Sequence, residues 1–236
     1  MGFLKRIFRS GSTEVENHRP AGISFEALSE EELQTHLAIS RYGYFELTDA
    51  VRPSYDLQIV PRQGFRRDRY TDETGGIVLP VVMAAVTRPT LMEVFLDLLD
   101  PLGPVVDVVL ESSHHGNGGS HDHYRDQIDI PVLKSILLDF EDLLLNDGCT
   151  GVAVVAPSRG QEVQLDEHKM IIAYGEPLEP FENRLITADV YPDPSIRFVT
   201  EAEHVHSSNR KFVGQFEQLR SRLGMDSGQP DDPSAW

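Results

Sequence analysis

Four of the nine histidines fall within ten residues, as His114, His115, His121 and His123. Imidazole suits zinc, copper, nickel or iron, and three or four such ligands complete the coordination these ions take. Gly116-Asn117-Gly118-Gly119-Ser120 between the two pairs could fold one pair back on the other, and Asp122 and Asp126 add carboxylates. A divalent transition metal is therefore the one cofactor the sequence allows, and otherwise none is expected. The spacing HHGNGGSHDH fits neither an HExxH helix nor a zinc finger. Ordering so flexible a stretch also costs conformational entropy, so a plain mobile polar loop is the competing reading.

The other chemistry-bearing residues are more scattered. His204 and His206 form an H-x-H pair whose rings share one side of an extended chain with Ala202. They read as surface residues leading into the last helix, able to complete a site with the long loop. Asp107, inside the apolar run PVVDVVL, and Glu111 behind it are the acids that could support a metal site. The single cysteine, Cys149, reads as an inert buried side chain at the start of a strand. GxSxG, GxxxxGK[ST] and strand-borne GxGxxG patterns are absent, so no catalytic residue is assigned.

A different chemistry is written at the N-terminus. Phe3, Leu4, Ile7 and Phe8 fall in i, i+4 pairs, with Lys5, Arg6 and Arg9 beside them, the pattern of a helix lying on a membrane interface or a partner surface. Arg6 stands where a myristoylation signal needs Ser or Thr. This leader carries +3, against −20 for the rest of a chain whose net charge is −17. So acidic a body disfavours nucleic acid as a partner, because phosphate binding rests on Lys and Arg. No apolar stretch has the length of a membrane span or a secretory signal, which points to the cytoplasm, with peripheral membrane contact through the leader.

The elements that must position these residues follow from periodicity. Residues 1–22 read as leader and linker, 23–224 as one globular domain and 225–236 as a disordered acidic tail. Ser29-Glu30-Glu31-Glu32 is a capping box opening a helix over 30–40, and Thr90-Leu91-Met92-Glu93 a second one. Residues 61–76, with Arg62, Arg66, Arg67 and Arg69, read as a solvated hairpin loop. Runs 77–86, 104–110 and 151–156 are apolar and strand-length, and they alternate with helices at 90–99 and 131–146. That alternation predicts an α/β or α+β domain whose mixed sheet has a parallel β-α-β-α-β centre over residues 77–156, flanked by helices. The 20 residues 111–130 are then a loop, leaving the carboxyl end of a buried strand. A hairpin at 161–174, a helix at 180–186, a strand at 196–200 and a helix at 208–223 complete the expectation.

Two function classes fit this reading. The first is a non-catalytic cytoplasmic interaction or scaffold protein with a protein partner, docked loosely by residues 3–9 to a membrane or partner surface. The alternative is a metal-dependent hydrolase-like enzyme using the histidine loop at 114–123.

Overall fold

The computed structural model describes residues 24–25, 28–71, 78–114 and 121–225. The leader, His115 and the acidic tail beyond residue 225 lie outside them.

Helix α1 (Glu30–Leu37) starts at the expected capping box, with Glu32 N donating to Ser29 Oγ at 3.3 Å and Ser29 N to Glu32 Oε2 at 2.9 Å. Three short strands follow, β1 (Arg41–Tyr42), β2 (Phe45–Glu46) and β3 (Val51–Pro53). The expected arginine-rich loop is instead strand β4 (Gly64–Thr71), paired along its length with β5 (Val78–Ala85). Its basic groups turn to this chain's own acids, Arg66 to Glu201 at 2.7 Å and Arg67 to Glu182. Helix α2 (Arg88–Asp97) begins at Thr87, ahead of the second expected box, because Pro89 fits a first helical turn.

Strand β6 (Val105–Ser112) leads into β7 (His121–Asp129), then α3 (Ile130–Asp139) and α4 (Glu141–Asn146). The single helix expected over 131–146 thus breaks at Phe140, whose φ of −115° and ψ of 24° leave the helical region. The meander β8 (Thr150–Ala156), β9 (Gln161–Leu165) and β10 (Ile171–Tyr174) precedes α5 (Glu179–Thr187). The expected strand at 196–200 is irregular chain running into the 3-10 segment Val199–Glu201. Strand β11 (His204–His206) pairs with β3, and α6 (Arg210–Arg222) buries Phe212, Phe216 and Leu219.

Among the described residues the main sheet has seven strands in the order β4-β5-β10-β9-β8-β6-β7, and every ladder is antiparallel. The expected parallel β-α-β-α-β centre over 77–156 is therefore incorrect, and the fold is α+β. The helical crossovers do exist: β5 and β6 run the same way, as do β7 and β8. What alternation could not reveal is that β10, β9 and β8 fill the first gap and β6 the second. The cause of the error is β7. Its sequence HDHYRDQID buries only Ile128, as an edge strand can, so it resembled a loop.

Leu91, Phe95, Leu133, Leu137, Phe181 and Phe216 of the helices pack with Val108, Leu110, Val152, Val154 and Val163 of the strands in one core. Asp107 escapes this apolar surroundings at a bulge between Val106 and Val108, where its Oδ1 accepts from Gln127 N at 2.9 Å. At one end of the sheet four pieces of chain meet. They are the end of β6, the approach to β8, the β9–β10 turn and the small β3–β11 ladder.

Candidate metal centre

The β9–β10 turn is closed by Asp166, whose backbone N donates to Met170 O at 3.1 Å and whose Oδ1 accepts from Met170 N at 2.8 Å. Lys169 takes the left-handed conformation, φ 63°, that this tight turn imposes, an uncommon state for a residue with a Cβ. The turn holds the His168 ring over the edge of β11. There the extended chain carries His204 and His206 on one side, as their spacing requires. Ring centroids lie 4.9 Å apart for His168 and His204, 4.7 Å for His168 and His206, and 5.1 Å for His204 and His206.

The hydrogen bonds behind the rings define their chemistry. His204 Nδ1 donates to Ala202 O at 2.8 Å and His206 Nδ1 to Gly148 O at 2.7 Å. A carbonyl only accepts, so each Nδ1 carries the proton and each Nε2 keeps its lone pair. His168 Nδ1 stands 2.9 Å from Asp166 Oδ2, a carboxylate-histidine pair that orients a ring and raises its basicity as a ligand. Burial, opposed by the Gly148 hydrogen bond and helped by the neighbouring imidazoles, pushes His206 below the usual histidine range, which favours the neutral ring. Burial also disfavours charge on His168, but the Asp166 carboxylate outweighs it and the net shift is upward.

One ring nitrogen from each histidine lies within 4.8 Å of the other two. An ion at their centre is then at most ~2.8 Å from each nitrogen, against about 2.0–2.1 Å in a formed zinc–histidine bond, so the rings would have to draw inward on an ion. Among the described residues no fourth His, Cys, Asp or Glu joins this group. Three such ligands would leave a tetrahedral ion one position open.

Two neighbours complete the surroundings. Gly148, which presents its carbonyl to His206, lies so close to Ser207 O that a Cβ would stand 2.8 Å from it, and closer still to Ala50 O. Only glycine fits there. Lys169, buried, donates to Thr150 O at 2.7 Å; burial pushes its ammonium down to about 8, with Asp147 and Asp166 opposing the shift. His168 and Lys169 also form part of the wall of a small cavity of about 50 Å³ lined by Leu47, Val86, Leu91 and Phe198. Comparisons with protein-family profiles, with curated proteins and with solved structures return no match.

Of the histidines first singled out, His115 lies outside the described residues, and the other three stand at the end of β6 and on β7. His121 and His123 belong to β7, opposite Ser112 and Leu110, and His123 packs on Phe216 with ring centroids 5.8 Å apart. His114 packs on the same Phe216 at 5.7 Å but turns its Nε2 toward Asp147. The ring nitrogens of His114, His121 and His123 form no common group among the described residues. His204 and His206 were visible as a pair, but their partner is His168 rather than the long loop. No local spacing announces His168, which lies 36 residues upstream of His204 and reaches it only through the fold; a histidine in a predicted hairpin turn was the available signal. Cys149 is half-buried rather than enclosed. Among the described residues no helix is long and apolar enough to cross a membrane.

Proposed function

We propose that this protein binds a divalent transition ion of the zinc class through His168, His204 and His206, and uses it to activate water for hydrolysis. The observation that supports this most strongly is the backing of all three rings. Two Nδ1 atoms donate to main-chain carbonyls and the third faces a carboxylate, so the rings are oriented as ligands before any ion arrives. An ion with an open position lowers the pKa of bound water toward neutrality, which is the chemistry such a centre supplies. The small cavity beside His168 and Lys169 would take an apolar group of the substrate.

Protein purified without an affinity tag should carry zinc-class metal by elemental analysis, and a metal chelator should abolish hydrolysis of a nitrophenyl ester probe, with zinc restoring it. Replacing His204 and His206 together by Ala should weaken binding at this centre at least ~100-fold, beyond the usual loss of a single supporting contact. His121→Ala with His123→Ala should leave it unchanged. Absence of bound ion after equilibrium dialysis against micromolar zinc would overturn the reading.

A further inference from the structure

A second group of donors stands at the same end of the sheet and shares no ligand with the three-histidine centre. His114 follows β6, Asp147 ends α4 and Cys149 precedes β8, and one donor atom from each lies within 4.8 Å of the other two. The side chains of His114 and Asp147 are 5% and 0% exposed. Polar atoms so deeply buried are nearly always hydrogen-bonded. Here His114 Nε2 stands 2.9 Å from Asp147 Oδ2 but out of hydrogen-bond alignment. That nitrogen and Asp147 Oδ1 are both buried without an aligned hydrogen-bond partner among the described residues, with the Ser208 side chain standing near the same carboxylate.

The same two side chains are firmly held from behind. His114 Nδ1 lies 2.8 Å from Ser112 Oγ, and Asp147 Oδ2 accepts from Thr150 Oγ1. The main chain around the thiol is fixed too, with Ser113 N donating to Cys149 O at 2.9 Å. Oriented donors with unfilled valences beside a sulfur are what a coordination site presents before its ion is bound.

We propose that His114, Asp147 and Cys149 form a second metal site, thiolate-containing and again of the zinc class. Cys149 releases its proton to solvent on ligation, so a dication meets one thiolate, one carboxylate and a neutral imidazole, and the buried cluster carries no net charge. Thiolate selects against magnesium and calcium, which take oxygen ligands. The ion would tie the end of β6 to the start of β8 and to α4, and with three protein ligands it would keep one tetrahedral position open, as at the three-histidine centre.

Cobalt titration of the full-length, metal-stripped protein tests this without confusing the two centres. Because Cys149 is the single cysteine, any thiolate-to-cobalt charge-transfer band belongs to it. The band should appear in the wild type, disappear in Cys149→Ser and persist in the His204→Ala, His206→Ala protein. In the unmutated protein, saturating zinc should slow alkylation of Cys149 by iodoacetamide about tenfold or more, since metal-bound thiolate is withheld from the reagent. No band at saturating cobalt, or an alkylation rate indifferent to zinc, would overturn the proposal. So would a band lost together with His204 and His206, which would place the thiolate in the first centre.

Discussion

Two regions of this chain carry histidines, and they differ in how the backbone treats them. Between β6 and β7 the residues are dense in sequence, and two of the described rings, His114 and His123, pack on the same Phe216, yet their nitrogens do not converge: His114 turns its Nε2 to Asp147. At the β9–β10 turn and β11 they are sparse, yet three rings meet, each held through Nδ1 by a carbonyl or a carboxylate. Density of a ligand type thus says less than whether the second ring nitrogen has a fixed partner. A ring so tied loses little freedom on binding an ion.

The contrast can be broken in order of expected effect. Phe216 belongs to the main core and carries the rings of the first region, and Phe216→Ala should cost about 3–5 kcal/mol of stability, read from the urea midpoint. Metal affinity at the three-histidine centre should be unchanged under folding conditions; a parallel loss there would mean that the two regions are one unit. Gly148→Ala should act at the crossing that holds β11, next to Asp147 and Cys149. With Ser207 O and Ala50 O in the way, overpacking should cost about 1–3 kcal/mol, with a melting temperature lower by several degrees and weaker metal binding as β11 shifts.

Asp166→Asn keeps the shape of the turn but removes the charge behind His168, and should lower metal affinity about tenfold, measured by competition with a chromogenic chelator. The smallest effect concerns pH. Burial, reinforced by Arg220, holds His123 below the usual histidine range. A group depressed in the folded state contributes stability that is full above its unfolded value and is lost as the pH falls through the folded one. Lowering the pH from about 7.5 to about 5.5 should therefore destabilise the wild type more than His123→Gln, as read from paired denaturation curves.

Much of the local structure was legible. Ser29 and Glu32 announced α1, and the spacing of Phe212, Phe216, Leu219 and Leu223 announced α6. Apolar runs marked β6 and β8. Their neighbours were not marked, because strand order is a long-range property: β8 lies between β6 and β9 for reasons no window around residue 152 contains. The same limit hid the candidate centre. His204 and His206 showed the right spacing, but the tie to His168 needs the β9–β10 turn, and the tie to Gly148 needs a chain crossing that only a glycine permits.

That crossing bears on the order of events during synthesis. Gly148 N donates to Ser207 O and Ser207 N to Ala50 O, each at 2.8 Å, so three stretches far apart in the chain interlock at the place where His206 is held. A ribosome delivers residue 50, then 148, then 207, and at about 5–20 residues per second the last arrives several seconds after the second. The main sheet can condense in that interval, but its three-histidine centre cannot. Metal loading there would therefore come as a final maturation step, and an ion would find its site only on chains whose β11 has already docked.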